Sequence, residues 1–311
     1  MSEREGRTFP LLSLPIIKRG FMVKDWLLCK CTSSLTKNQY GDTVRLPKNQ
    51  AFQLRHNRHV AIIDELDYTY SDLDVKLDFS TTIVTRLMGR LDMLKETLPT
   101  WLKVQGIKNI IIVDWGCKEP LQEYVDSLKD DRIIIVHVPD KEFFDAGASW
   151  NVGIRYAKTE WIFTVDCDVK IYNQSVLKYM TGGKPDNRAF YNCAITGMAL
   201  SGTALFTKDQ WNKTGGYCEG LKGWGGEDIA FLDNMEKKAE YARIRNMIPE
   251  WFEHIQHDES KRSENMQDKS DRYVTNSENM AIMENDEMDY TDNKQLCNIY
   301  ESGKLTEGIL I

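Results

Sequence analysis

Three short stretches of this chain carry residues whose types and spacing could do chemistry together. They are Asp166-Cys167-Asp168, Gly223-Trp224-Gly225-Gly226-Glu227-Asp228, and His254-Ile255-Gln256-His257. The first is a carboxylate pair and the second an acidic pair behind a flexible glycine turn. The third is a histidine pair three residues apart. Hard divalent cations favour carboxylate oxygens, and imidazole suits borderline ions such as manganese. A metal holding a diphosphate, with a separate carboxylate to remove a proton, is the arrangement that transfer from a nucleotide-activated donor requires.

Each stretch has a plainer explanation to beat. A D-x-D triplet recurs by chance and gains weight only at the end of a buried strand. There, alternate residues point to opposite faces, so only Asp168 need touch a metal while Asp166 holds a ribose or orients a water. Acidic residues in a first helical turn also favour the helix dipole, which accounts for one of Glu227 and Asp228 but not for the preceding Trp-Gly-Gly. The glycines permit positive φ, and Trp224 offers a planar apolar face suited to the C–H face of a sugar. On a helix or tight turn, His254 and His257 would face one side, as two ligands to one ion must. His56, His59 and His137 show no such pattern.

The elements that must position these residues begin near Phe79, where strands alternate with helices. Thr81–Thr85, Asn109–Val113, Ile133–Val138 and Trp161–Val165 read as apolar strands, the last running directly into Asp166. Between them lie amphipathic segments with Leu91, Leu94, Leu98 and Leu102 on one face, and with Leu121, Tyr124, Val125 and Leu128 after Pro120. A third, with Trp150, Ile154 and Ala157, could be capped by Asp145. This alternation predicts an α/β fold with a parallel sheet covered on both faces. Ligands of such sheets bind beyond the carboxyl ends of the strands, where Thr85, Arg86, Asp114, Asp166 and Asp168 stand. Aspartate is a common turn former, but three strands ending this way favour a nucleotide crevice. After Asp168 the pattern loosens into a mixed half, with a helix over Gln174–Met180 and strands over Phe190–Ile195 and Gly202–Phe206. Gln256–Arg272 is polar throughout and reads as a loop or a lid. Residues 1–78 read as a small β-rich accessory module and acidic connector, with strands at Phe21–Val23, Trp26–Leu28 and Val60–Ile63; residues 79–311 read as the main domain.

Composition narrows the class. The 311 residues are 41% hydrophobic and 28% charged, ordinary for a globular protein, and the net charge of −7 leaves no basic surplus for nucleic acid. Seven scattered cysteines without C-x-x-C spacing suggest free thiols in a reducing compartment. No run approaches the ~18 apolar residues of a membrane span, so no transmembrane segment is expected and a cytoplasmic enzyme is the simplest expectation.

The runs FSTTIVTR, IIIVDWG, FDAGASWNVGIRYA and WIFTVDCD resemble a GT-A glycosyltransferase of the large family-two type. The later run SGTALFTKDQWNKTGGYCEGLKGWGGED is similar to lactosamine-forming β-galactosyltransferases and chondroitin-polymerase-like enzymes. The similarity covers Asp78 to Tyr273. It implies a Rossmann-like nucleotide-diphospho-sugar transferase fold and a metal-dependent, inverting transfer of a galactose or N-acetylgalactosamine type of sugar. The donor would be a UDP-sugar, the acceptor a hydroxyl of a glycan or another molecule, and the ion Mn2+ or Mg2+. Thr85, Arg86 and Asp114 would then contact the uridine, Asp166 the ribose side and Asp168 the metal. Asp228 would be the catalytic base, kept ionised by its helix N-terminus, with Glu227 supporting it, Trp224 beside the donor and His257 a metal ligand. Where those galactosyltransferases carry methionine, this chain has His254, a second imidazole for the metal. Where they carry a bulky tyrosine beside the donor's second carbon, it has Ala199, which leaves room for an N-acetyl group. Two rival expectations remain: a retaining enzyme of the polypeptide N-acetylgalactosaminyl kind, and a non-catalytic carbohydrate-binding protein on the same fold.

Overall fold

The structure is a computed structural model that describes residues 26–31, 43–47, 60–64, 76–118, 121–193, 200–221, 225–247, 251–257, 265–266, 277–279, 281–283 and 293–311. Trp224, Ala199, Pro120, the expected strand Phe21–Val23, most of the acidic connector and most of the 256–272 segment lie outside those residues. The chain divides into two compact units, Met1–Leu66 and Asp67–Ile311. In the first, β1 (Trp26–Cys31) pairs antiparallel with β2 (Thr43–Pro47) on one side and β3 (Val60–Asp64) on the other.

In the second unit, nine strands among the described residues form one sheet in the order β11 (Ala242–Met247), β9 (Ala189–Cys193), β10 (Ala204–Thr207), β7 (Trp161–Thr164), β4 (Thr81–Leu87), β5 (Ile107–Trp115), β6 (Ile133–Val138), β13 (Leu296–Glu301) and β14 (Lys304–Leu310). Its centre is parallel: β7 (Trp161–Thr164), β4 (Thr81–Leu87), β5 (Ile107–Trp115) and β6 (Ile133–Val138). The strands bury both faces because the alternation of strand side chains splits an all-apolar run between two layers. Ile83, Ile110, Ile112, Ile133, Ile135 and Phe163 enter one core, with α1 (Leu91–Trp101), α2 (Leu121–Leu128) and α4 (Val176–Thr181). Val84, Ile111, Val113, Ile134, Val136 and Ile162 enter the other, with α3 (Ala146–Tyr156), α5 (Lys208–Lys213) and α6 (Glu227–Asp233). Asp145 caps α3 by accepting a hydrogen bond from the Ala148 amide at 2.9 Å, worth about 1 kcal/mol.

The mixed half follows as expected in kind. β9 (Ala189–Cys193) and β10 (Ala204–Thr207) extend the sheet, β10 antiparallel to β7, and β11 (Ala242–Met247) runs parallel to β9. The sequence reading missed β11 and the closing hairpin of β13 (Leu296–Glu301) and β14 (Lys304–Leu310), which adds to β6. β14 is wholly exposed, so no core-facing alternation marks it, and β13 sinks only Cys297 and Ile299 into the core. A separate two-stranded ladder, β8 (Val169–Ile171) against β12 (Phe252–His254), leaves the end of β7 and matters most for the site.

Candidate active site

β7 ends at Thr164, and the chain turns through Val165–Asp168 into β8. The Val169 amide donates to the Asp166 carbonyl at 3.0 Å and closes the turn. Helix α1 holds it from below: the Thr97 hydroxyl donates to the Cys167 carbonyl at 2.9 Å, and the Trp101 indole to the Val169 carbonyl at 2.8 Å. On the far side, the Ile255 amide donates to the Asp168 carbonyl at 2.8 Å, continuing the β8–β12 ladder in which His254 lies opposite Val169. Asp168 is thereby fixed by backbone bonds on both sides.

The ladder brings the histidines to Asp168. Nε2 of His257 lies 3.1 Å and Nε2 of His254 3.5 Å from the same carboxylate oxygen, Oδ2. One ligand atom from each of the three residues falls within 4.8 Å of the others, so they could hold a metal ion. The expected helix or tight turn is not what unites the imidazoles. His254 ends a strand and His257 follows outside any helix or strand, their ring centroids 5.5 Å apart. Burial opposes the charge on Asp168, but the two histidines and Arg90 outweigh it and hold the carboxyl below its usual range. Arg90, which the sequence reading did not single out, donates from Nη1 to Oδ2 at 3.1 Å.

Asp166 meets a different set of groups, although both aspartates lie in the turn between β7 and β8 rather than on a strand. A Cβ on Gly202 would sit 2.7 Å from Asp166 Oδ2 and 3.1 Å from Asp228 Oδ2, so the two carboxylates meet where this glycine leaves room. Gly202 is held by its carbonyl, which accepts from the Thr164 hydroxyl at 2.7 Å. Asp228 reaches this point from the first turn of α6, whose start is set by Gly226 at φ 94°, a conformation that L side chains rarely adopt. Asn279 secures that turn by donating to the Gly225 carbonyl at 2.6 Å. Asp228 Oδ1 is buried with no hydrogen-bond partner among the described residues. The helix N-terminus, expected to lower this acid's pKa, is not the larger influence on it. Burial, then the charges of Glu227 and Asp166, push its pKa well above the carboxylate range. Burial likewise moves Asp166 up to about 6, with Arg86 opposing and Asp168 and Glu227 adding to the rise.

Arg86, expected at the uridine, is turned into this acidic cluster. It donates to Glu227 Oε1 at 2.9 Å and the Ala146 carbonyl at 2.8 Å, lies 3.6 Å from Asp166 Oδ1 and stacks 4.3 Å from the centre of the Trp150 ring. It thus ties the end of β4 to both acidic motifs, with Glu227 as its nearest carboxylate partner. Thr85 is fully buried, and its hydroxyl has no partner among the described residues. Asp114 ends β5 with both oxygens engaged: Oδ1 accepts from the Cys117 amide at 2.8 Å, and Oδ2 lies 2.8 Å from Nδ1 of His137. The hydrogen bond to Asp114 raises the His137 pKa although burial opposes it. His137 pairs with Asp114 across β5 and β6 in register, a link that only strand pairing reveals.

Residues 82–193, from β4 to β9, match the family described as glycosyl transferase family 2. Residues 189–258, which contain Asp228, His254 and His257, match the family described as N-terminal domain of galactosyltransferase. With the family-two segment lying on the parallel half of the sheet, the fold is of the GT-A type. No curated protein matches the chain. Among solved structures it is similar to a mannosyltransferase from Pyrobaculum calidifontis in complex with GDP-Man and Mn2+, with 14% identity, 55% of this chain and 56% of that one covered, and a TM-score of 0.46. It is also similar to the catalytic domain of Drosophila β1,4-galactosyltransferase 7 in complex with xylobiose, with 16% identity, 70% and 86% covered, and a TM-score of 0.47. Residues 1–349 of S. aureus TarS with UDP-GlcNAc give 13% identity, 63% and 64% covered, and a TM-score of 0.49. The chain spans little more than half the length of the mannosyltransferase.

Proposed function

We propose that this chain, a glycosyltransferase by the two families it matches, is a metal-dependent inverting enzyme that moves a galactose or N-acetylgalactosamine type of sugar from UDP to a hydroxyl acceptor. The observation that carries this reading is the division of labour at one strand end. Asp168 turns to two imidazoles, while Asp166, two residues earlier, turns to Asp228 across Gly202.

The oxygen, nitrogen, nitrogen set of Asp168, His254 and His257 fits a borderline dication, Mn2+ foremost and Mg2+ less well. Such an ion would offset the charge gathering on the departing diphosphate. Asp228 takes the proton of the acceptor hydroxyl as that oxygen attacks the anomeric carbon from the face opposite UDP. The bond to the diphosphate breaks with its electrons and the anomeric configuration inverts. The orphaned Oδ1 of Asp228 is the acceptor of that proton, and its raised pKa makes the ionised form a stronger base. In this reading Asp166 would hold the ribose side and Asp114 the nucleoside end, with Thr85 buried behind it, and Trp224 would serve the sugar. Arg86 acts through Glu227 and Asp166 rather than on the base. Residues 79–311 form the catalytic domain, and 1–78 an accessory module.

No helix among the described residues is long and apolar enough to cross a membrane. Buried Cys167 and Cys297 are free thiols, which agrees with a cytoplasmic setting. The test is a panel of UDP-sugars incubated with Mn2+, with and without simple glycan acceptors, reading UDP release and the anomeric proton of the product by NMR. UDP release from UDP-galactose or UDP-N-acetylgalactosamine that needs metal, with an inverted product, supports the reading. Retention of configuration moves the enzyme to the retaining class, and absence of turnover with every donor favours a binding protein.

A further inference from the structure

Three side-chain nitrogens converge on one oxygen of Asp168. Oδ2 lies 3.1 Å from His257 Nε2, 3.1 Å from Arg90 Nη1 and 3.5 Å from His254 Nε2. A metal bound by these residues would use the imidazole lone pairs, so both histidines stay at the site as ligands. Arg90 is different: a guanidinium has donors only and cannot ligate a cation. Its permanent positive charge sits where an arriving dication must make its bond to Asp168.

We propose that Arg90 is a resident counter-cation of the metal site, which competes with the metal for Asp168 and passes to the donor's diphosphate when metal and nucleotide bind together. This rests on the metal reading given above. Free of nucleotide, the guanidinium offsets the charge of a carboxylate that is 4% exposed and otherwise faces the two imidazoles. The dication does that work better, and releases a planar fork suited to phosphate oxygens. Metal alone therefore binds weakly and metal with nucleotide binds tightly, so the site does not fill with an ion that has no donor to hold.

The surroundings suit such a hand-over. Arg90 stands at the start of α1 with its side chain 21% exposed, so it has an open side toward which to move. The backbone just before it is pinned. Asn265 donates to the Met88 carbonyl at 2.8 Å, the Asn265 carbonyl accepts from the Phe144 amide at 2.7 Å, and the missing Cβ of Gly89 lets the Asn265 amide approach. The main chain stays in place while the long side chain chooses its partner.

The experiment is calorimetry on the full chain, first with Mn2+ alone and then with UDP at saturating Mn2+, for the parent, Arg90→Gln and Arg90→Met. Both variants should bind Mn2+ alone on the order of tenfold more tightly than the parent, since a unit charge beside the site is gone. Both should bind UDP about tenfold or more weakly in the presence of Mn2+, since a charged partner of the diphosphate is lost. A residue that merely supports the fold would move both affinities the same way or neither. Two variants of different polarity guard against one failing to fold. Unchanged or weaker Mn2+ binding in the folded variants overturns the counter-cation role while leaving the metal site itself intact. Unchanged UDP binding overturns the hand-over. A parent chain that binds no Mn2+ at all, with or without UDP, removes the metal reading and this inference with it.

Discussion

Replacing Gly202 by alanine puts a methyl group where Asp166 and Asp228 now meet. The new Cβ lies 2.7 Å from Asp166 Oδ2 and 3.1 Å from Asp228 Oδ2, whereas ordinary contact begins at 3.4 Å. The two oxygens must retreat by about 0.7 Å and about 0.3 Å respectively, on the steep side of the contact potential. Gly202 is not among the glycines with positive φ, so alanine meets no backbone strain there. Asp166 has a side chain 26% exposed and can swing outward, but Asp228 is fixed on α6 and has less room. The cost to the fold should stay at the low end of the ~1–3 kcal/mol usual for overpacking. The cost to transfer should be larger, because a ~1 Å misplacement of a reacting group can cost ~10²-fold; a loss of about ten- to a hundredfold is expected. Thermal melting and steady-state transfer, measured on the same preparation, separate the two. A Gly202→Ala enzyme with parental kcat and KM would mean that the pair of carboxylates at this glycine is not where the chemistry occurs.

Asp168→Ala and His257→Ala should each abolish metal-dependent UDP binding in calorimetry with Mn2+; undiminished affinity in a folded His257 variant would remove that residue from the metal site. His137 offers a pH test of the Asp114 pair. Its folded pKa is raised above 6.5, so the stabilisation is fully present below that value and is lost as pH rises through the folded pKa. The melting temperature of the parent should therefore exceed that of His137→Asn at pH 6 and converge on it at pH 9, and an equal gap at both would refute the link. Asn279→Ala should loosen the turn before α6, costing about 1 kcal/mol of stability and lowering kcat more than KM, since Asn279 holds the Gly225 carbonyl. Identical kinetics would show that the turn positions itself.

How much of this was legible in the sequence follows from where the information sits. The strands of the parallel core could be read because each is a short apolar run, and Ile133–Val138 has the expected bounds. Asp166 and Asp168 were expected to part because they alternate on an extended segment, but they lie in the turn between β7 and β8, and it is that turn which sends them to different partners. The histidine pair was found for the right reason, two imidazoles downstream of carboxylates, but on the wrong element, since nothing local marks Phe252–His254 as a partner of β8. Arg90, His137, Gly202 and Asn279 could not be found this way. Each acts through a residue far along the chain, Asn279 on Gly225 and Gly202 between Asp166 and Asp228, and spacing carries no trace of such contacts. Asp228 misled for a physical reason: the helix dipole is a small stabilisation of the ionised form, and burial beside two other carboxylates outweighs it.

The central claim is that Asp228 removes the acceptor proton while other residues hold donor and metal. The measurement that tests it most directly compares Asp228→Asn with the parent, using calorimetry with UDP and Mn2+ and the transfer rate from the preferred UDP-sugar. The substitution keeps the size of the side chain and spares Asp168, His254 and His257, so UDP and Mn2+ affinity should match the parent within about twofold, while transfer falls by the ~10²–10⁴ typical of a lost general base. Transfer near the parental rate, with affinity intact, would contradict the account.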